Sequence, residues 1–564
     1  MFPILTAFFC LGALLLGYRF YSRFLSQQIF ALRDDEKMPS KNLEDGVDYV
    51  PTDKHVLFGH HFSSIAGAAP ILGPAMAIVW GFVPALIWIV VGVVFMGAAH
   101  DFGALVLSVR HEGKSVGSLA QRFIGPRSRI LFLLVIFFLI WMVGAVFAFA
   151  IGGLFVKFPA SILPVNLEIA VAMGIGWWGY KKGRSLTVPS LIALVGLYAL
   201  IFATASGVVP VPQAGSILLD VRFWLVGLLI YAFIASSLPV WLLLQPRDLI
   251  NSHQLIVGLV AMYLGFFFSN PTFAAPPVGE LSALPAVFPL LFVTIACGAI
   301  SGFHGLVSSG TTSKQLKCAK DARSVGYGSM LMEASLAILA TLAVATGMMA
   351  DGHTHVFEEI YVPLVKAGTM PTVPQALGGF VQGAASMLSG LGLPFKIGAT
   401  VVAVLVISFA ATSLDTALRI QRMVLAEIGD IIKVEPLKNR WIGGAIACSS
   451  VGVLIWADFE QRAKSLWPVF GATNQVLAAI TLAMCALYLK RMKKNPLPYL
   501  VPAVVVMAIT FIAMGIQVYR DLSQGHWLVG VVGAIIAVLS AWVAVEAMGA
   551  WRKVGAAVGE KVTT

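Results

Sequence analysis

The sequence predicts an all-α membrane protein with about fifteen transmembrane helices. Of its 564 residues, 59% are hydrophobic and only 12% are charged, whereas soluble domains carry roughly 25% charged residues. The apolar runs are continuous and long enough for a helix to span a bilayer, and they do not alternate with polar residues as barrel strands do. Lysine and arginine concentrate in alternate loops, as the positive-inside rule requires.

The predicted spans are about fifteen apolar runs of roughly 17–25 residues each. They fall near 2–20, 59–82, 83–109, 130–155, 161–178, 187–207, 222–244, 253–270, 285–309, 326–349, 396–418, 439–456, 470–489, 497–518 and 526–550. The stretch 375–395 is also apolar but is rich in Gly, Ser and Ala, so we expect a re-entrant or interfacial segment there.

Basic residues orient the predicted spans and explain the net charge of +11. With the N-terminus outside, 31 of the 38 lysines and arginines fall in loops predicted to be cytoplasmic, and the C-terminus is cytoplasmic as well. Because position explains the positive charge, we predict no nucleic-acid partner. The five cysteines are scattered without a CxxC pattern, so they predict neither disulfides nor a metal cluster, and no cofactor is expected.

Two predicted spans are interrupted by small residues and proline. The first interruption runs from Gly67 to Pro74 and the second from Ala235 to Pro239. Proline and glycine free backbone groups, and discontinuous helices at matching positions of two halves are typical of inverted-repeat transporters. The alternative is a pair of proline kinks packed against neighbouring helices. The residues predicted to bind substrate are Gly67, Ala68, Ala69, Gly73, Ser236 and Ser237.

Ionisable residues inside the predicted spans indicate ion coupling, because buried charges are costly in a membrane. Asp101, His304 and Glu333 are the candidates for proton coupling. The hydroxyl groups of Ser308, Ser309 and Thr312 are hard oxygen ligands that suit Na⁺. Static pairing of the charged groups, and hydroxyl groups that bond back to their own helix, are the alternatives.

A membrane metal-binding protein or metalloenzyme is a second reading, with His60, His61 and His100 as candidate ligands beside Asp101. No HExxH spacing supports it. A nutrient sensor without transport is a third reading, although the sequence shows no soluble signalling domain. The absence of a P-loop pattern disfavours an ATP-driven pump. We therefore predict a transporter in the lipid bilayer and not an enzyme.

Six segments together resemble the carbon-starvation protein A family, over about residues 40–490. They are GHHFSSIAGAAPILGPAMA, AAHDFGALVLSVRHEGKSVG, ASSLPVWLLLQPRDLIN, GFHGLVSSGTTSKQL, VGYGSMLMEASLA and SLWPVFGATNQVLAA. The resemblance implies a transporter of the inner membrane that imports a small nutrient, a short peptide or pyruvate-like carboxylate, with H⁺ or Na⁺ during carbon starvation.

The resemblance also implies kinship with the amino acid–polyamine–organocation superfamily, whose core is a leucine-transporter-like inverted repeat of five plus five helices. The expected regions are a transmembrane helix with a cytoplasmic loop at 1–58, a ten-helix transporter core at 59–424, and accessory transmembrane helices with a short cytoplasmic tail at 425–564. The two interrupted helices then take the first and sixth positions of the core.

Overall fold

A computed structural model describes residues 2–45, 48–183, 186–239, 241–279, 287–457, 459 and 465–560. Within these residues the chain is helical, with two isolated β-bridges and no strand. Twelve of the helices are long and apolar enough to cross a membrane, or up to thirteen spans when a bent helix pair is included. The chain is therefore a multi-pass, all-α membrane protein.

Helices of eight or more residues are numbered in chain order. They are α1 Pro3–Ile29, α2 Lys54–Ile65, α3 Ala69–Trp80, α4 Phe82–Val109, α5 Val116–Phe123, α6 Pro126–Lys157, α7 Pro159–Lys182, α8 Thr187–Ala205, α9 Val221–Ser237, α10 Leu244–Phe268, α11 Val287–Thr294, α12 Gly302–Gly310, α13 Ala319–Thr346, α14 Val373–Ser389, α15 Phe395–Ile432, α16 Arg440–Ala457, α17 Leu466–Arg491, α18 Leu497–Ser523 and α19 Trp527–Glu560. Shorter helical segments lie at Pro39–Asn42, Ile217–Leu219, Thr312–Lys314, Phe357–Tyr361, Val362–Lys366 and Glu435–Lys438.

Three of the predicted spans differ from the structure. The run 59–82 is a bent pair, α2 and α3, and the run 285–309 is divided between α11 and α12, with 280–286 outside the described residues. The run 222–244 is not one interrupted span, because α9 ends at Ser237 and α10 begins only at Leu244. Pro239 has no amide to donate and holds Leu238 in an extended conformation, which ends the helix.

The stretch 375–395, predicted to be re-entrant or interfacial, is helical over most of its length. Residues 373–389 form one unbroken helix, α14, which begins with a capping box between Thr372 and Gln375 and has Pro374 in its first turn. Most of its side chains are buried, and it packs between α13 and α15. A segment so enclosed by neighbouring helices is not interfacial.

The centre of the protein is formed by α13, α15 and α17, whose apolar stretches are almost wholly buried. The helices α6 and α15, of 32 and 38 residues, pack against each other along this centre. The peripheral helices α1, α16 and α18 instead expose large apolar side chains such as Phe9 and Trp456. Exposed apolar surface of this extent fits contact with lipid.

Candidate functional site

The first interruption joins α2 to α3 and lies where the sequence places a break. Asp53 caps the start of α2 by accepting a hydrogen bond from the His55 amide at 2.9 Å. The helix ends at Ile65, and α3 starts at Ala69 with its axis bent by 47°. Pro70 stands in the first turn of α3, where its missing amide costs no hydrogen bond.

A second interruption, which the sequence does not reveal, separates α11 from α12 at residues 295–301. Side chains from other helices bind the backbone on both sides of it. The indole of Trp88 donates to the Ile295 carbonyl at 3.1 Å, and that of Trp467 donates to the Thr294 carbonyl at 3.1 Å. The Asn474 side-chain oxygen accepts from the Phe303 amide at 2.9 Å. These tertiary donors and acceptors replace helical hydrogen bonds and hold the interruption open.

Glycines bring the two interruptions into direct contact. A Cβ atom added to Gly73 of α3 would lie 2.6 Å from the Thr294 carbonyl oxygen, closer than real side chains approach. Gly97 of α4 faces the Ala299 carbonyl even more closely. The interruption at 295–301 is therefore packed against α3 and α4 with no space for a larger residue at either glycine.

A buried cluster of ionisable groups follows directly after the second interruption. His304, in α12, places its Nδ1 2.9 Å from one carboxylate oxygen of Asp101. His100 Nδ1 lies 2.7 Å from the other oxygen. The opposite ring nitrogen of His304 is 3.2 Å from Glu333 of α13, an ion-pair distance without hydrogen-bond geometry. The side chains of all four residues are at most 1% exposed.

The cluster connects the three residues predicted to couple protons. An imidazole that faces one carboxyl group with each ring nitrogen can take a proton from one acid and give it to the other. His304 has this position between Asp101 and Glu333. Because His304 belongs to the helix that starts after residues 295–301, a change in that interruption would move it relative to Asp101.

The predicted hydroxyl ligands do not converge on one point. Thr312 Oγ1 lies 2.8 Å from Nδ1 of His61. The Ser309 hydroxyl donates to the Gly305 carbonyl of its own helix at 2.7 Å, and its oxygen also accepts from a backbone amide of α5. The Ser308 hydroxyl is buried and has no hydrogen-bond partner among the described residues. Two of the three oxygens are thus already occupied by protein groups.

The candidate metal ligands lie apart in their contacts. His61 faces Thr312 and His100 faces Asp101, while His60 is only half buried. In the part of the chain that the structure describes, no three His, Cys, Asp or Glu side chains are grouped so that they could hold a metal ion. The metal-binding alternative is not favoured by this arrangement.

The residues predicted to bind substrate fall into two groups. Gly67, Ala68, Ala69 and Gly73 all lie at the bend between α2 and α3. Ser236 and Ser237 lie at the end of α9, where both hydroxyl groups donate to the Phe233 carbonyl of their own helix, at 3.0 and 2.9 Å. The second group therefore has the contacts of a helix terminus.

Comparison with known proteins places the chain in a family. Residues 3–513 match the family described as carbon starvation protein CstA. The chain belongs to this family. It is 32% identical to the peptide transporter CstA of Bacillus subtilis (strain 168), over 93% of this chain and 90% of that one. It is 33% identical to the pyruvate/proton symporter BtsT of Escherichia coli (strain K12), over 90% of this chain and 81% of that one.

Other members are similar to the same degree. The peptide transporter CstA of Escherichia coli (strain K12) is 31% identical, over 85% of this chain and 76% of that one. The two peptide transporters and the pyruvate/proton symporter thus match this CstA-family chain about equally well. Overall identity does not select a substrate.

One polar network of this CstA-family protein escapes the sequence prediction. Arg247 lies in the first turn of α10 and is 1% exposed. Its partner is Asp415 of α15. The usable signal is that Arg247, Asn251 and Gln254 are spaced by four and three residues, on one face of a helix.

Proposed function

We propose that this protein is a proton-coupled secondary active transporter that imports a small nutrient, a pyruvate-like carboxylate or a short peptide, across the inner membrane during carbon starvation. The observation that carries the proposal is the buried contact series from Asp101 through His304 to Glu333. Titratable groups at this depth are expensive in a membrane protein and usually belong to an ion pathway.

Protons fit the cluster better than Na⁺ does. Each contact in the cluster joins a histidine nitrogen to a carboxylate oxygen, which is a pair that exchanges protons. A sodium site requires several converging oxygens, and among Ser308, Ser309 and Thr312 only the first has an unoccupied hydroxyl. The pyruvate/proton symporter among the relatives is consistent with a proton.

The substrate is proposed to bind at the bend between α2 and α3, at Gly67, Ala68 and Ala69, while the predicted ligand Gly73 packs α3 against the interruption at 295–301. The start of α3 presents the positive end of a helix dipole, which favours a carboxylate. Both a pyruvate-like acid and the C-terminus of a peptide carry that group. The sequence predicts that the bend binds substrate together with Ser236 and Ser237. In this proposal the second interruption replaces these two serines.

The proposed cycle is a rocking movement around this fixed site. With the N-terminus outside and the C-terminus cytoplasmic, Asp101 lies in the cytoplasmic half of α4. The proposed core is built from two inverted repeats of five helices, with the interruptions in the first and the eighth predicted core span instead of the first and the sixth. Release of the proton from Asp101 and of the substrate would then occur on the same side.

Reconstitution tests this function. The purified chain is inserted into liposomes, and uptake of labelled pyruvate and labelled dialanine is followed under an imposed proton gradient, an imposed sodium gradient, or neither. We expect accumulation of one of the two substrates above its external concentration only with the proton gradient. Accumulation driven by the sodium gradient alone would mean that Na⁺, and not H⁺, is the coupling ion. No accumulation of any small nutrient under either gradient would refute the proposal.

A further inference from the structure

A second buried ionic network surrounds Arg247 and has no part in the proposed coupling cluster. Arg247 Nη1 donates to the carboxylate of Asp415 and, at 2.6 Å, to the Tyr231 hydroxyl. Its Nη2 donates to the Ser408 carbonyl at 3.2 Å. The Tyr231 hydroxyl donates to Asp415 at 2.7 Å. The network ties α9 and α10 to α15.

Glu168 of α7 joins this network through a single hydrogen bond. The Ser408 hydroxyl donates to one carboxyl oxygen of Glu168 at 2.6 Å. The second oxygen is buried and has no hydrogen-bond partner among the described residues. The side chain is 5% exposed. A carboxylate with one hydrogen bond in such surroundings is strongly destabilised in its ionised form.

A cavity of about 180 Å³ between α7, α8 and α10 reaches Glu168. Among the described residues, Glu168 is the only ionisable one that lines it, and the remaining lining is apolar. The apolar lining residues are Pro164, Leu167, Val171, Ala193, Gly196, Leu197, Leu200 and Ile250. The volume exceeds that of a water molecule, and the cavity borders Glu168 without contacting Arg247.

The charges of the network do not balance. Arg247 faces two carboxyl groups, Asp415 and Glu168, so the acids outnumber the bases by one. Including Arg419 and Asp248 adds one base and one acid, and the excess of one acid remains. The helix α8 carries no charged residue. The titratable groups that face the network are Glu168 from α7, Tyr198 from α8, Tyr231 from α9, Arg247 and Asp248 from α10, and Asp415 and Arg419 from α15.

We propose that Glu168 is a proton-binding site, separate from the Asp101 cluster and reached through the cavity between α7, α8 and α10. Asp415 has Arg247 and Tyr231 as donors, and Asp248 is only partly buried, so the excess proton belongs on the more deeply buried Glu168. A protonated carboxyl group removes the uncompensated charge that burial penalises. The assignment concerns protonation in the resting protein and goes beyond the transport function proposed above.

Infrared spectroscopy of the purified full-length protein in lipid nanodiscs tests this site. A protonated carboxyl group shows a carbonyl stretching band that an ionised carboxylate lacks. We expect the difference between the wild-type and Glu168→Gln spectra at neutral pH to contain such a band. The matched control is Glu359→Gln, which removes an exposed carboxyl group. A band present in both Glu168→Gln and the wild type, with no difference between them, would overturn the proposal.

Two further arms complete the test. Replacing choline chloride by sodium chloride at constant pH should leave the Glu168 band unchanged, and its loss would mean that the site takes Na⁺ instead of a proton. If Glu168→Gln does not fold, Ser408→Ala removes the one hydrogen-bond donor and should shift the band without abolishing it; an unshifted band refutes the assignment. Both readouts are independent of transport, so failure of nutrient uptake leaves them interpretable.

Discussion

Asp101→Asn is the most informative single change, because it removes a charge from the proposed proton pathway and keeps the shape of the side chain. The carboxylate faces His100 at 2.7 Å and His304 at 2.9 Å. The amide retains one acceptor oxygen, so one of these contacts is lost. A hydrogen bond to a charged group contributes about 1.5–3 kcal/mol, which is the expected decrease in the free energy of unfolding.

The effect on transport should be larger than the effect on stability. For one proton per substrate, each unit of pH gradient supplies about 1.4 kcal/mol and supports up to about tenfold accumulation. Asp101→Asn should abolish this driving force, so that the ratio of internal to external substrate approaches one while exchange of labelled for unlabelled substrate continues. Uptake into proteoliposomes with an imposed pH gradient measures both quantities.

The matched control is Asp220→Asn, at the exposed start of α9. Asp220 caps the helix by accepting from the Arg222 amide at 2.9 Å, and asparagine caps equally well. The Asp220→Asn variant should therefore accumulate substrate to the same level as the wild type. If Asp101→Asn accumulates substrate as well as this control does, Asp101 has no part in coupling. Size-exclusion profiles and melting temperatures separate a folding defect from a coupling defect.

The structure supports three more predictions. Gly97→Ala should lower the melting temperature by overpacking the second interruption, at a cost of about 1–3 kcal/mol, whereas Gly12 of α1 has open space around it and tolerates alanine. Burial alone would raise the pKa of Glu36, but the hydrogen bonds and charge of Arg110 lower it overall. The stabilisation of wild type over Glu36→Gln should therefore be present above about pH 4.5 and shrink as the pH falls through the lowered pKa in thermal melts. Ser236→Ala with Ser237→Ala should leave the KM for uptake unchanged, because both hydroxyls bond within their own helix; a several-fold rise would make them substrate ligands.

The sequence predicts best those features that depend on local composition. Twelve predicted spans coincide with helices long and apolar enough to cross a membrane, because length and hydropathy alone determine that property. The bend at 66–68 is also predictable, since Gly67 and Pro70 act on their own backbone. The cost of burying Asp101, His304 and Glu333 is a local property as well, and the structure brings these three residues together.

Features that depend on distant partners are not predictable in this way. The segment 295–301 contains no proline, and its backbone is held apart by Trp88, Trp467 and Asn474 from other helices. An arginine next to an apolar run, such as Arg247, usually marks a cytoplasmic loop. Only the packing of α10 against α15 shows that its charge is buried opposite Asp415.

The bend between α2 and α3 touches elements of both polar networks. Gly67 rests against Ser413, which lies two residues before Asp415 in α15. Gly73 rests against Thr294, at the start of the interruption that precedes His304. Both glycines pack closely against their neighbours, so a tilt of α3 would press on the second interruption at Thr294, and a shift of the bend would press on α15 at Ser413. A substrate that binds at the bend would therefore act on both networks through direct packing, without a separate element to carry the signal.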